Sequence, residues 1–360
     1  MLDELPIPIV QAPLAGGPST PALAGAVSEA GGLGFVAAGY CAPDVLMRDI
    51  AATRELTKRP FGVNVFAPVP GPADAEVVER YTVALQPEAH WAGVELGRPR
   101  FDDDGFEEKL RILREDPVAV VSFTFGCPPP KVTASIKQAG SEVWITITDV
   151  GEAEQAEAAG ASALVVQGNE AGGHRGSFAD RPVTADYSVL ALLQLVGARV
   201  RIPLVAAGGI GTGAAIAAVL AAGASAAQLG TAFMRCPEAG TSPVHREALA
   251  SSRPTALTRV FSGRLARGVV NRLMCEYEAR APLAYPEVHH LTSPLRAYGR
   301  REGDADLVNL WAGQAHELTA EIPAAQLISK LHRDALQALS VARTHLEKPL
   351  PQGERLTEAK

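Results

Sequence analysis

Short apolar runs recur along the chain at residues 9–11, 34–38, 61–65, 118–122, 143–147, 163–167, 203–207 and 226–229. None alternates strictly between apolar and polar positions. That is the pattern of strands covered on both faces in a parallel sheet. Between them lie stretches with helical character at 20–30, 43–57, 128–139, 152–159, 186–196 and 212–222. Several stop on glycine, at Gly31, Gly140, Gly160 and Gly223, as helices do before the next strand. Eight strands in strand–helix order predict an α/β fold, a (β/α)8 TIM-type barrel over residues 1–240. A doubly wound sheet is the competing arrangement, but it would gather its glycines after the first strand. Here glycines and polar residues follow many of the strands.

Three stretches exceed a minimal barrel. Residues 68–105 are long for a strand–helix connection and irregular, with Pro87, Pro99 and three consecutive aspartates; they predict a lid insertion or an extra helical element. Residues 241–320 read as an appended helical and loop region covering the active site. Residues 321–360 read as an amphipathic helix, 322–346, packing back on the barrel, followed by a polar tail. No repeat of fixed period is present.

Candidate chemistry concentrates in the loops after the strands. Gln167-Gly168-Asn169-Glu170-Ala171-Gly172-Gly173-His174-Arg175-Gly176 follows the sixth apolar run. Paired glycines let backbone approach a ligand, and the imidazole can move a proton near neutral pH. A tight turn with a structural histidine is the plain alternative. Glu170 and Arg175 can pair with each other or take part in chemistry. Gln11-Ala12-Pro13-Leu14-Ala15-Gly16-Gly17 ends the first strand and is suited to packing on a flat ring, or is simply a turn. Asn64 places an amide within an apolar strand, so it needs either ligand or protein partners. Ala206-Ala207-Gly208-Gly209-Ile210-Gly211 and Gln228-Leu229-Gly230-Thr231-Ala232-Phe233 follow the seventh and eighth strands, where barrels recurrently hold phosphate. Backbone N–H groups there can bind phosphate without a lysine; close helix–strand packing through glycine is the alternative. Arg264 and Arg267, in Ser262-Gly263-Arg264-Leu265-Ala266-Arg267-Gly268, can pair with carboxylates and lock the C-terminal region to the barrel, or receive an anionic substrate.

Composition narrows the partners. The 360 residues are 47% hydrophobic and 20% charged, with net charge −7 and no basic block suited to nucleic acid. Cys41, Cys127, Cys236 and Cys275 are widely spaced, which argues against a zinc ribbon or disulfide scaffold. The adjacent His289-His290 pair does not share an element face, so no metal site is expected. The start of the chain lacks a secretory signal pattern, and residues 202–234, uncharged but broken by proline and glycines, read as strand, helix and strand rather than a membrane span. The expectation is a cytoplasmic protein with no membrane and no nucleic-acid partner; its oligomeric state is not encoded in these patterns.

Together, the loops at 11–17, 167–176, 207–210, 228–233 and 262–268 resemble the nitronate monooxygenases, formerly called 2-nitropropane dioxygenases. The segments 291–296 and 310–314 look like the class I branch. The resemblance implies an FMN-bound barrel that oxidises alkyl nitronates with dioxygen to a carbonyl compound and nitrite. Propionate 3-nitronate is the substrate class it implies. His174 would be the catalytic histidine. Gln167, Gly172, Gly173, Gly208, Gly209, Gln228, Gly230 and Thr231 would hold the flavin and its phosphate, with Pro13, Leu14 and Asn64 on the ring side. The same barrel family includes flavin-dependent enoyl reductases and NAD(P)H:quinone reductases, the alternative activity. A flavin- or phosphate-binding protein without turnover is a third possibility.

Overall fold

The computed structural model describes residues 1–69, 71–181 and 186–347. Eight parallel strands form the main sheet: β1 (Ile9–Gln11), β2 (Gly34–Ala37), β3 (Phe61–Phe66), β4 (Val120–Thr124), β5 (Glu142–Ile147), β6 (Ala163–Gln167), β8 (Leu204–Ala207) and β9 (Ala226–Leu229). Their order is β1-β9-β8-β6-β5-β4-β3-β2. A parallel bridge between Val10 and Leu33 joins the two ends of that order, so the sheet closes into the expected barrel. The fourth strand lies two residues later than its apolar run suggests: its pairing with both β3 and β5 begins at Val120 and runs to Thr124 and Phe123 respectively.

Helices α1 (Pro21–Glu29), α2 (Pro43–Leu56), α4 (Phe106–Glu115), α5 (Pro130–Gln138), α6 (Val150–Ala158), α7 (Val189–Gly197) and α8 (Gly213–Ala221) follow successive strands around the ring. The four glycines read as helix stops all have positive φ, from 87° at Gly160 to 108° at Gly140. Their missing Cβ is what makes this left-handed exit cheap.

Period-two alternation divides each strand between two environments. Val10, Phe35, Val120, Trp144, Val165, Val205 and Ala226 form one apolar cluster that fills the barrel. Residues such as Val63, Val121, Ile145, Leu164 and Ala227 instead join the layer beneath the helices. Two steps along from Val120, Trp144, Val165 and Ala226 stand Ser122, Thr146, Gln167 and Gln228. Asn64 lies at the same level, paired in register with Ser122. The barrel interior therefore turns polar at the carboxyl ends of its strands, the end where barrel sites form.

Residues 68–105 contain a helix, α3 (Ala75–Ala92), which takes up nearly half of them. Pro87 does not break α3, because both Pro87 and Val83, whose carbonyl loses its partner, are exposed to water. Val78, Tyr81, Leu85 and Ala92 of α3 share a separate apolar cluster with residues 260–307. That C-terminal region contains α9 (Pro243–Leu249), β10 (Thr255–Thr258), β11 (Ala266–Val269), α10 (Arg272–Tyr277) and α11 (Glu287–Glu302). A three-stranded antiparallel sheet, β10-β11-β7, ties it to the barrel through β7 (Gly173–His174).

The last described helix, α12 (Ala324–Leu346), packs its first turns on α1 and α8 through Leu327, Ile328 and Leu331. Gly213 permits the α8 contact, since a Cβ there would lie 2.4 Å from the backbone nitrogen of Ala335. The polar tail expected after residue 347 falls outside the described residues. The stretch 202–234 folds as β8, α8 and β9, and no described helix is long and apolar enough to cross a membrane.

Candidate active site

The polar rim of the barrel opens into a cavity of about 440 Å³. The loops after β1, β6, β8 and β9 all line it, including Pro13, Leu14, Gln167, Gly172, Gly173, His174, Gly208, Gly209, Gln228, Gly230 and Thr231. Asn64 lines it from β3. The C-terminal region closes the opposite side with Ser262, His289, Arg296, Asn309 and Trp311.

The loop carrying His174 is held from within. Gln167 donates from Nε2 to the His174 carbonyl at 3.0 Å and accepts from the Gly176 N–H at 2.8 Å. Arg175, 2% exposed, donates to the carbonyls of Gln167 and Gly168. Glu170 does not pair with Arg175; its carboxylate accepts from the Val189 N–H at the start of α7, where the helix dipole favours an anion. Gly172 lets the loop touch the chain opposite, since a Cβ would sit 2.4 Å from the nitrogen of Gly313. Gly172→Val is expected to lower stability by about 1–3 kcal/mol through this overlap, with partial loss of any bound cofactor. A denaturant titration showing an unchanged midpoint would remove the contact from the account.

β7 pairs with β11, placing His174 opposite Ala266. Arg264 and Arg267 lock this corner, although their partners are carbonyls rather than carboxylates. Arg264 donates to the carbonyls of Arg175 and Ser177 and lies 4.1 Å from the Phe125 ring centre; Arg267 donates to the Asn169 carbonyl at 2.8 Å. Neither lines the cavity. Loop carbonyls take the donors because the nearby acidic groups are otherwise engaged, Glu170 by α7 and Glu152 by the Thr148 and Phe178 N–H groups.

His174 Nε2 lies 2.8 Å from Ser262 Oγ, which is also 3.1 Å from the Arg264 carbonyl. When the hydroxyl donates to that carbonyl, Nε2–H donates to Oγ and Nδ1 is left with a lone pair. When the hydroxyl donates to Nε2 instead, Nδ1 carries the proton. Burial, reinforced by the charges of Arg264 and Arg296, pushes the imidazole pKa down to about 3. The ring is therefore neutral at physiological pH.

Aromatic side chains wall the space around it. Phe125 and Trp311 approach His174 edge-on, at 5.6 and 5.4 Å between ring centres. Tyr40 stacks flat on His289 at 4.0 Å. Tyr40 and Phe125 have φ of 63° and 78°, strained for residues with a Cβ. Tyr40, Phe125, Tyr285, His289 and Arg296 are missing from the sequence-based set. Arg296 falls in the 291–296 segment singled out above, and the helical spacing of 289, 293, 296 and 300 is the signal that would have joined it to His289. His289 faces the cavity while His290 bonds Asp102 at 2.8 Å, so the two diverge as neighbours on a helix do.

The expected cofactor residues differ in what they offer. Asn64 Nδ2 is taken by Ser122 and Thr124, leaving its carbonyl oxygen as the available end. Gln228, 9% exposed, makes no side-chain hydrogen bond among the described residues. Gly208 and Gly209 have φ of 118° and 68°, and no atom lies within 4 Å of a Cβ built on Gly173. Among the described residues no aspartate or glutamate lines the cavity, although the chain has 40 acidic residues. No metal-binding cluster occurs among the described residues either.

His245 lines the same cavity and bonds the Trp311 carbonyl from Nε2 at 2.9 Å. Burial pushes its pKa down to about 4. Its folded value lies below its unfolded one, so the unfolded chain binds the extra proton between about pH 6.5 and 4, and stability falls as pH falls through that window. His245→Asn is expected to flatten the pH dependence of unfolding by at most one proton, ~1.4 kcal/mol per pH unit. Identical slopes for the two proteins between pH 7 and 5 would show that His245 is not buried as described.

Comparison with known proteins places these features in a family. The nitronate monooxygenase family model matches residues 2–334. A nitronate monooxygenase of Paraburkholderia phytofirmans is 40% identical over 93% of this chain and 94% of its own length. One from Pseudomonas aeruginosa is 41% identical over 90% and 95%. Among solved structures, nitroalkane oxidase from Streptomyces ansochromogenes superposes with a TM-score of 0.93 at 50% identity, covering 95% of this chain and 99% of that one. FabK from Thermotoga maritima superposes with a TM-score of 0.76 at 28% identity, covering 96% and 97%.

Proposed function

Because the chain belongs to the nitronate monooxygenase family, we propose that it is an FMN-dependent oxidoreductase converting alkyl nitronates and dioxygen to a carbonyl compound and nitrite. The observation that carries this reading is a neutral histidine in a cavity at the carboxyl end of the barrel that no carboxylate lines among the described residues. An anion meets no carboxylate there among the described residues.

The cavity suits the cofactor. Gly208, Gly209, Gly230 and Thr231 present backbone where no acidic side chain intrudes among the described residues, and the α8 N-terminus follows the first pair. Pro13 and Leu14 offer an apolar wall, with the Asn64 carbonyl and Gln228 amide as polar ends. Gln167, Gly172 and Gly173 shape the remaining side by holding the His174 loop. Bound FMN supplies the electron-accepting and oxygen-activating chemistry that side chains lack.

The chain's own residues handle charge and protons. With Ser262 turned toward the Arg264 carbonyl, His174 Nδ1 is a base able to take the proton from the carbon beside a neutral nitro group. With Ser262 donating to Nε2, Nδ1–H can donate to a nitronate oxygen. Approach of an anion raises the imidazole's proton affinity, opposing the burial and guanidinium charges that lower it. Phe125 and Trp311 set apolar rings against His174 in the cavity wall, and such a low-dielectric surrounding strengthens these interactions. Propionate 3-nitronate is the expected substrate. The four cysteines, all free thiols, fit a reducing compartment such as the cytoplasm.

Purified protein should carry the absorbance of oxidised flavin and release nitrite from propionate 3-nitronate in air without a nicotinamide. Turnover of an enoyl or quinone substrate that depends on NADH or NADPH, with no nitrite from a nitronate, would assign the reductase activity instead.

A further inference from the structure

One face of α11 is turned into the cavity. His289, Ser293, Arg296 and Arg300, spaced four, three and four residues apart, all line it. Arg296 is 6% exposed at the base of this stripe, whereas Arg300 is exposed at its end. Arg296 donates from Nε to Thr292 Oγ1 at 3.0 Å and from one terminal nitrogen to the His289 carbonyl at 2.7 Å. Its other terminal nitrogen makes no hydrogen bond among the described residues.

Neither arginine has a carboxylate partner among the described residues, and none lines the cavity. By contrast, Arg272, also close to the C-terminal apolar cluster, bonds both Glu88 and Glu276. A buried guanidinium without a counter-ion is costly unless something anionic arrives to pair with it. Burial and the proximity of Arg300 lower the Arg296 pKa to about 10, which still leaves it charged at neutral pH. His289, stacked on Tyr40 and kept neutral by burial and the Arg296 charge, adds no second cation but supplies no counter-ion either.

The nitronate group itself accounts for one anion, and His174 lies ready to receive it. The stripe carries further positive charge in the same cavity. We propose that Arg296 receives a carboxylate at the end of the substrate away from the reacting carbon, with Arg300 drawing the doubly charged molecule in from the rim. This rests on the nitronate reading above and assigns the specificity of that site. The free terminal N–H groups of Arg296 suit a carboxylate oxygen, and the charge makes the bond stronger than a neutral one.

The test compares two nitronates of equal chain length, one ending in a carboxylate and one in a methyl group. Wild type should prefer the carboxylated substrate in kcat/KM. Arg296→Met should lower that preference by about 10–100-fold, the worth of a charge-assisted hydrogen bond, mainly through KM. Arg296→Lys should restore part of it. Succinate, which cannot be oxidised here, should raise the thermal midpoint of wild type and not that of Arg296→Met. If the methionine variant does not fold, Arg300→Gln should weaken the preference and its dependence on salt. Oxidation of both nitronates by wild type with no preference, or an equal loss on both in Arg296→Met, would overturn this assignment while leaving the nitronate reading intact. Failure of wild type to oxidise either would instead overturn that reading.

Discussion

His174→Ala is expected to lower kcat/KM for nitronate oxidation by about 10²–10⁴-fold, the usual contribution of a positioned proton-transfer group. The loss should be larger for a neutral nitroalkane than for its nitronate, because only the former requires removal of a carbon-bound proton. The substitution should leave the fold in place. β7 is held to β11 through backbone pairing, and Gln167 and Arg175 bond main-chain atoms rather than the imidazole. Wild-type kcat/KM should show no acid limb near pH 6.5, since burial keeps this ring neutral down to about pH 3 in the free protein. Steady-state nitrite release on both substrate forms measures these effects. Loss of less than threefold on the nitroalkane would remove His174 from the chemistry.

Trp144→Ala is expected to cost about 3–5 kcal/mol of stability, a large share of the roughly 5–15 kcal/mol typical of folded domains. Trp144 is fully buried inside the barrel, its ring centre 5.9 Å from that of Phe35. Its Nε1 donates to Glu142 Oε2 at 3.0 Å, while the other oxygen of Glu142 accepts from the Met1 amino group at 3.0 Å. Truncation thus empties the barrel's apolar filling and removes one of the ties below it. Urea titration should show a lower midpoint with the far-ultraviolet spectrum retained. A shift below about 1 kcal/mol would mean that the site collapses freely, contrary to the close packing typical of interiors.

The barrel was readable because its strands are covered on both sides and its helices end on glycines that could be located individually. The small sheet was not readable: β7 is two residues long, and its pairing with β11 joins positions over 90 residues apart. α3 was obscured by Pro87, which is tolerated only because water reaches Val83 and Pro87. In the site, loops marked by paired glycines were readable, since a positive φ or a close backbone approach leaves a residue-type signature. Tyr40 and Phe125 adopt the same backbone region without that signature, held by tertiary packing. The spacing of Arg264 and Arg267 points to a locking role, but a single sequence does not distinguish the carbonyl partners they have from the carboxylates it suggests.

The most direct test of the central claim is anaerobic mixing of the purified flavoprotein with propionate 3-nitronate, and separately with NADH and NADPH, while following the oxidised-flavin absorbance. The nitronate reading predicts rapid bleaching by the nitronate and negligible bleaching by either nicotinamide. Rapid bleaching by a nicotinamide with none by the nitronate would contradict it.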